Sequence, residues 1–322
     1  MDVEHTACGA PLLDLWRSPY VALHPAGIGD VTFTNGLLHA LQEVNREVVV
    51  PTELRRDLES GSIENFEVAA GSVTGDFRGE LHADHGLYSW LETASWSNVG
   101  AVDPTLTRAA DDLIGLAARA QRRDGYLNTY FSGPRESLRW SDLPEGHEMF
   151  LAAHLVQAAV AHARTTGLDS LLSVARRFVD HIDSMFGSGP GQRRAASGIP
   201  GLEMALVELY RLTRESRYLR LAGWLLDQRG VEPTVNGGSE VLLDHQPVRK
   251  QSVVVGHAVM AMYLYAGAAD IYAETGDSCL LDACERVWKD LHKSKVYITG
   301  GVGARYYVES FGQAYELPSQ RA

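Results

Sequence analysis

From about Asp84 onward, apolar residues recur every three or four positions, the spacing of one buried face of an α-helix. Asp103 and Pro104 are a typical N-cap and first residue, so a helix is predicted to start there. Further helices are predicted to begin near Glu145, Asp169, Pro200, Ser216, Val253 and Asp277. The polar, glycine-containing residues 230–251 interrupt the pattern and predict a long loop.

The beginning of the chain follows a different pattern. Residues 31–51 open with strand-like alternation and continue with helical spacing, and a stretch rich in Asp, Glu and Gly follows to about Asp84. We therefore predict a short β-containing segment before the helices. The predicted organisation is an N-terminal extension, residues 1–30, followed by a helical domain, residues 31–322.

Three helix junctions resemble one another. Each centres on a threonine, at Thr166, Thr213 and Thr275, which lie 47 and 62 residues apart. Repeated helical hairpins can stack as an open solenoid or close into a ring. Because a solenoid keeps a tighter period, and because the long insertions here carry Gly, His and aromatic residues, the pattern favours an all-α toroid over a solenoid.

Composition narrows the function classes. The 322 residues are 45% apolar, and 41 acidic against 29 basic residues give a formal charge of −12. The densest basic stretches are dipeptides, which argues against a nucleic-acid or anionic-membrane surface. The acidic N-terminus does not resemble a signal peptide, and no apolar run reaches 18 residues. We expect a soluble cytoplasmic protein.

The three cysteines do not form a metal-binding pattern. Cys279 and Cys284 lie five residues apart on a predicted helix, about 140° apart around its axis, and Cys8 is remote in sequence. We expect all three to be free thiols.

A glycine-rich stretch near the C-terminus invites a phosphate-binding interpretation, which its neighbours contradict. Gly300, Gly301 and Gly303 follow a predicted helix instead of a strand, and Tyr306 stands where a dinucleotide fingerprint needs its third glycine. Two interpretations are left: a backbone that approaches a ligand closely, or the end of a helix followed by a turn.

Glu309 and two histidines are the candidates for chemistry. Glu309 is flanked by aromatic residues, and a carboxyl enclosed by rings is suited to general acid catalysis; the alternative is an ordinary surface glutamate. His147 and Glu148 lie at the start of a predicted helix, but Leu151 excludes the zinc-protease motif. His257 lies on an otherwise apolar predicted helix, where a histidine is more often a core residue than a ligand.

Several stretches, taken in order, resemble one family. They include NREVVVPTELRRDLESGSIENF, GLYSWLETASW, RDGYLNTYF, GHEMFLAAHLVQAAVAHARTTG, LEMALVELYRLT, DHQPVRKQSVVVGHAVMAMYL and VYITGGVGARYYVESFGQAYELP. Together they are similar to glycoside hydrolase family 127, the β-L-arabinofuranosidase-like enzymes. The resemblance extends from about Pro25 to Ala322, and it is the number and order of the motifs that make it specific.

The resemblance implies a fold, an activity and roles for residues. It implies an (α/α)6 barrel that releases terminal L-arabinofuranose by a retaining mechanism, with a zinc-bound cysteine thiolate as nucleophile and a glutamate as acid/base. The glutamate corresponds to Glu309, and His147 and His257 correspond to histidines expected to contact the sugar. Gln42 is a further implied sugar contact.

The chain also departs from the family pattern. Ile199 stands near a position where many members carry a histidine, and Val308 and Ser310 replace the Gly and Ala around the glutamate. The Glu-Thr-Cys segment that supplies zinc ligands is expected just past Ala322, with the nucleophile further on. We therefore expect a C-terminally incomplete barrel without metal ligands of its own.

These departures lead to expectations about activity and partners. An incomplete barrel is expected to be inactive by itself and to expose apolar faces, so that it aggregates or needs a partner. The expected partners are a carbohydrate substrate and either a second copy of the chain, in a homodimer, or a complementing C-terminal fragment. The rival hypothesis is a non-catalytic helical ring that keeps a sugar pocket as a binding or assembly module.

Overall fold

The structure, a computed structural model, describes residues 11–320. This part of the chain is built from α-helices and irregular segments, with isolated β-bridges in place of a sheet. The predicted all-α class is therefore confirmed. The helices are α1 (Gly36–Val44), α2 (Val50–Ser60), α3 (Ser62–Ala69), α4 (Asp84–Ser97), α5 (Pro104–Ala120), α6 (Glu148–Thr166), α7 (Ser170–Met185), α8 (Leu202–Thr213), α9 (Ser216–Gln228), α10 (Ala258–Thr275) and α11 (Ser278–Ser294).

Helix starts follow the signals in the sequence. The Asp103 carboxylate accepts hydrogen bonds from the backbone N–H groups of Thr105 and Leu106, and Pro104 is the first residue of α5. Asp277 caps α11 in the same way. The five other predicted starts lie within five residues of the observed ones. Residues 230–251 form the predicted loop, which contains only one 3-10 turn, Val248–Lys250.

The predictions for the beginning of the chain are partly wrong. Residues 31–34 form no strand, because Val31 and Phe33 are exposed and no neighbouring strand in the described residues pairs with them. The acidic, glycine-rich stretch after Pro51 contains α2 and α3. A five-residue π-helical turn, Asn45–Val49, joins α1 to α2, so the helical conformation continues from residue 36 to residue 60.

The three repeated threonines close their helices in the same way. The hydroxyls of Thr166, Thr213 and Thr275 donate to the carbonyl four residues earlier, at 2.6, 2.8 and 2.7 Å. Each hydroxyl oxygen also accepts from the backbone N–H two residues later, at 3.1 to 3.3 Å. One side chain thus satisfies a carbonyl of the last turn and an N–H of the connection, which explains why the pattern recurs.

The described residues divide into two compact units. The first comprises residues 11–16, Leu23–Asp142 and His154–Asp183; the second comprises Arg17–Ala22, Leu143–Ala153 and residues 184–320. The chain passes from one unit to the other within α6 and near the end of α7. The predicted boundary between an extension and a helical domain stays a prediction.

The first unit is built around α2 to α5 and the hairpin of α6 and α7. Helix α3 packs on α5, and α4 contacts both α2 and α5. Their buried faces carry large apolar side chains, among them Phe66, Tyr88, Leu91, Ile114 and Phe178. This arrangement follows the amphipathic pattern of the sequence, in which each helix buries one stripe against its neighbours.

The second unit consists of two helical hairpins. Helix α8 packs on α9, α10 packs on α11, and the two hairpins meet where α8 contacts α10. The buried Arg211 of α8 joins this contact, because its guanidinium donates to Asp270 at 2.7 Å and to Glu274 at 2.6 Å on α10. Burial opposes the charge of Arg211, but these carboxylates and Glu208 raise its pKa above the usual range.

None of the described helices combines the length and the apolar content that crossing a bilayer requires.

Candidate functional site

Two residues singled out in the sequence meet in the second unit. His257 Nε2 lies 3.1 Å from Glu309 Oε2, although 52 positions separate them in the sequence. The backbone brings them together, since His257 forms an antiparallel bridge with Ser310 and the Phe311 N–H donates to the Gly256 carbonyl at 2.9 Å. The contact between the imidazole and the carboxylate is the core of the candidate site.

His257 is held in place by the residue before it. Gly256 has a φ of 77°, and a Cβ added there would lie 2.2 Å from the Glu240 carbonyl oxygen. Only glycine lets the backbone at residue 256 lie this close to the backbone at residue 240. The close approach allows the His257 N–H to donate to the Val241 carbonyl at 2.8 Å. The imidazole therefore sits at the N-cap of α10 with a fixed backbone. In the sequence, the only sign of this arrangement is the glycine directly before His257.

Glu309 lies in a closed loop. The backbones of Arg305 and Ser310 exchange two hydrogen bonds, at 3.0 and 3.1 Å. The Arg305 guanidinium also donates two parallel hydrogen bonds to the Glu316 carboxylate, at 2.8 and 2.9 Å. The hydrogen bonds from Arg305 and from the Gln313 N–H lower the pKa of Glu316 to about 2. The glycine-rich stretch before this loop is a turn that begins after α11 ends.

The backbone at the candidate acid is strained. Val308 and Glu309 have φ values of 68° and 49°, in the left-handed region that L-residues with bulky side chains avoid. Val308 stands where the family pattern noted above has glycine, the residue that adopts this conformation without strain. A non-glycine residue in this conformation lowers the stability of the fold by about 1–3 kcal/mol. The surrounding loop therefore holds Val308 in a backbone conformation that valine disfavours.

Replacing Val308 by glycine is therefore expected to raise the free energy of unfolding by about 1 kcal/mol, measured by chemical denaturation. The matched control is Val102→Gly, at an exposed valine whose φ is not positive, where the added chain entropy is expected to lower stability. If both variants lost stability equally, the strain assigned to Val308 would be wrong.

A cavity of about 440 Å³ opens beside the pair and is lined by Val241, His257, Tyr306, Tyr307, Val308 and Glu309. The Glu309 side chain is 71% exposed and that of His257 20% exposed. This corrects the expectation of a carboxyl enclosed by rings, because Tyr306 and Tyr307 are themselves exposed. The carboxylate can reach a ligand directly, and the two phenol rings offer flat apolar faces beside it.

The other predicted residues lie elsewhere. His147, with a φ of 55°, precedes α6; its Nδ1 contacts the Glu145 carbonyl and its ring meets Phe150 edge-on. It belongs to the same unit as the pair but is not among the residues lining the cavity. Gln42 is exposed on α1 in the first unit, beside a separate cavity of about 480 Å³. The roles of His147 and Gln42 stay predictions.

The described residues do not form a zinc site. Across residues 11–320, no three His, Cys, Asp or Glu side chains are grouped so that they could hold a metal ion. Burial raises the pKa of the Cys284 thiol to about 11, so little of it is thiolate near neutral pH. Cys279 is exposed on α11, and Cys8 lies outside the described residues. The zinc expected from the resemblance stays a prediction.

Comparison with known proteins decides the family. Residues 30–322 match the model of the β-L-arabinofuranosidase GH127 catalytic domain. The chain belongs to glycoside hydrolase family 127. It is 35% identical over 287 residues to a non-reducing end β-L-arabinofuranosidase of Bifidobacterium longum subsp. longum, an alignment that covers 82% of this chain and 43% of that enzyme.

Solved structures of GH127 enzymes share the fold of this chain. A GH127 β-L-arabinofuranosidase from Geobacillus stearothermophilus T6 superposes with a TM-score of 0.87 at 36% identity, over 89% of this chain and 49% of that one. The GH127 β-arabinofuranosidase BT3674 gives a TM-score of 0.84 at 35% identity, over 90% and 47%. The predicted (α/α)6 type is thereby confirmed. The GH127 chain described here spans less than half the length of these relatives.

Proposed function

We propose that this GH127 chain provides the acid/base part of a site that releases terminal L-arabinofuranose from β-L-arabinofuranosides. The observation that carries the proposal is the 3.1 Å contact between His257 and Glu309 at an open cavity. Membership of the family and the β-L-arabinofuranosidase activity of two relatives support the choice of sugar. The identity of the sugar and the roles of both residues belong to the proposal.

The two carboxyl oxygens of Glu309 have different roles in the proposed reaction. His257 Nε2 contacts Glu309 Oε2, so the proposal assigns the other oxygen, Oε1, to the substrate. Protonated Glu309 donates its proton to the glycosidic oxygen while the bond from that oxygen to the anomeric carbon breaks. The resulting carboxylate then accepts a proton from the water that releases the sugar. His257 orients the carboxyl group throughout both steps.

The finer mechanism needs groups that the described residues do not provide. A retaining reaction requires a nucleophile on the opposite face of the sugar. The resemblance assigns it to a zinc-bound thiolate, and residues 11–320 contain no fitting set of ligands. We derive no step through zinc. The proposal therefore includes inactivity of this chain alone, with the nucleophile supplied from outside the described residues.

The cavity is suited to a neutral sugar. Its lining combines two tyrosines and two valines with one imidazole and one carboxyl, and it includes no lysine or arginine. Sugar hydroxyls can bond to the imidazole and the carboxyl, and a ring can pack against a phenol face. A phosphorylated or otherwise anionic substrate would meet the Glu309 carboxylate without a compensating cation.

The stereochemistry of hydrolysis tests the proposed reaction. We expect the chain, extended through its downstream reading frame, to cleave a p-nitrophenyl β-L-arabinofuranoside and to release the β-anomer first, followed by ¹H NMR of the anomeric proton. The matched α-L-arabinofuranoside should not be cleaved. Release of the α-anomer first would contradict the retaining mechanism, and cleavage of the α-substrate alone would contradict the assigned sugar configuration.

The rival function, a sugar-binding or assembly module, is supported by the exposure of Glu309 and by the lack of a metal-ligand group in residues 11–320. Calorimetric titration of the extended protein with L-arabinose separates the two. Binding without any turnover of the β-substrate would favour the module. Cytoplasmic location, a homodimer and a complementing fragment stay predictions alongside either function.

A further inference from the structure

The second unit contains a fully buried arginine, Arg229, that lies outside the helices of the two hairpins. Arg229 follows the last residue of α9 and has no exposed surface. Its Nη2 donates to the Ser197 carbonyl at 2.6 Å and to the Ser197 hydroxyl at 3.0 Å. Its Nη1 donates to the Leu242 carbonyl at 3.2 Å and lies 3.5 Å from the Gly198 carbonyl. One guanidinium therefore joins two loops that are about 45 residues apart in sequence.

Burying this charge is costly. Burial lowers the pKa of Arg229, and the nearby charges of Glu203 and Asp244 only partly oppose that shift. The direct acceptors are neutral carbonyl and hydroxyl oxygens. A leucine or methionine would fill the same volume without the desolvation cost, so packing alone does not account for an arginine here.

The first loop that Arg229 holds supports His147. A Cβ added at Gly198 would lie 2.0 Å from the Leu143 carbonyl oxygen and 2.9 Å from Pro144 Cα. The loop thus lies directly against the segment that ends, three residues after Pro144, at His147. Fixing the carbonyls of Ser197 and Gly198 fixes the surface on which this segment rests.

The second loop supports His257. Leu242, whose carbonyl Arg229 holds, follows Val241, whose carbonyl receives the His257 N–H at 2.8 Å. The buried Asp244 carboxylate closes the same loop, because it accepts from the N–H groups of Gly230 at 2.9 Å and Asn236 at 2.6 Å. Val241 also lines the cavity beside Glu309.

We infer that Arg229 is a positioning residue that couples the support of His257, which lines the candidate site, to the support of His147, whose contact with the sugar is a prediction. It touches no substrate and acts through the loops at Ser197 and Leu242. The inference rests on the proposed function for its significance, but the coupling itself is a property of the folded chain. It can therefore be measured without any turnover.

Amide hydrogen exchange of the Arg229→Lys variant, followed by mass spectrometry, tests the coupling. Lysine keeps the charge but loses the planar fork, so it cannot hold both loops at once. We expect exchange to become at least about tenfold faster in residues 143–149 and in residues 253–262 together, while residues 104–120 stay within about twofold. The matched control is Arg211→Lys, also fully buried in the second unit. Because Arg211 pairs with Asp270 and Glu274 of α10, this variant can affect residues 253–262, but it should leave exchange in residues 143–149 within about twofold.

The outcomes separate cleanly. Faster exchange in one segment only, or in neither, would overturn the coupling. If Arg229→Lys and Arg211→Lys raised exchange in residues 143–149 equally, Arg229 would only stabilise the second unit in general and the coupling would be wrong. If Arg229→Lys does not fold, Ser197→Ala removes one acceptor of the intact guanidinium, and exchange should then rise in residues 143–149 by a smaller factor. Unchanged exchange in that variant would also count against the coupling.

Sugar turnover separates this inference from the proposed function. If the extended protein hydrolyses no arabinofuranoside but Arg229→Lys still loosens both segments, the proposed reaction fails and the coupling stands. If turnover is present and Arg229→Lys leaves exchange and KM unchanged, the coupling fails and the reaction stands.

Discussion

Replacing Glu309 by glutamine is expected to lower kcat/KM for β-L-arabinofuranoside hydrolysis by roughly 10²–10⁴-fold in the extended protein, with KM changed far less. Glutamine keeps the size and the contact with His257 but cannot donate a proton to the leaving oxygen. The loss should grow with the basicity of the leaving group, so a methyl arabinofuranoside should suffer more than a p-nitrophenyl one. This dependence distinguishes an acid from a group that only binds sugar.

A matched control shows whether the loss is specific. Glu285 is an exposed glutamate of the second unit, on α11, paired with Lys289 at 2.9 Å. Glu285→Gln should leave kcat/KM within about twofold, because exposed helix pairs contribute little. If Glu309→Gln kept most of its activity with both leaving groups, the acid/base assignment would be wrong.

Acid is expected to destabilise the first unit through His154. This buried histidine of α6 packs edge-on against His85, with ring centroids 4.3 Å apart. Burial, and then the neighbouring His85, lower the pKa of His154 from 6.5 to about 3. The unfolded chain therefore binds this proton at a higher pH than the folded chain does. Stability is fully present above pH 6.5 and falls as the pH drops towards 3, by on the order of 4 kcal/mol.

The measurement is the free energy of unfolding between pH 3 and 8, from urea titrations of the parent and of His154→Gln. Glutamine stays neutral, so the slope between pH 3 and 6.5 should be flatter in the variant. His292→Gln removes an exposed histidine of α11 and should leave the slope unchanged. Parallel curves for the parent and His154→Gln would show that His154 does not set the acid sensitivity.

The helices were predictable where local signals and packing agree. The cap at Asp103, the repeated threonine turns and the long amphipathic runs depend on residues close in sequence, so the pattern alone indicates them. The sequence did not indicate α2 and α3 because their many charged residues and the glycine between them, Gly61, resemble a loop, although Leu, Glu and Arg in α2 favour a helix. The alternation at residues 31–34 indicated a strand that finds no neighbour to pair with.

The candidate site was predictable in its residues but not in its environment. The resemblance indicated His257 and Glu309, and the structure brings them together. The exposure of Glu309 and the strain at Val308 depend on how a loop is closed by Arg305 and Glu316, which spacing does not encode. The burial of Arg229 depends on two loops remote in sequence.

The central claim is that the pair of His257 and Glu309 serves an arabinofuranosidase whose nucleophile lies outside the described residues. The most direct test measures zinc content together with hydrolysis of a chromogenic β-L-arabinofuranoside, for this chain and for the chain extended through its downstream reading frame. The account predicts stoichiometric zinc and turnover in the extended protein, and neither in the 322-residue chain. Absence of both from the extended protein would contradict it.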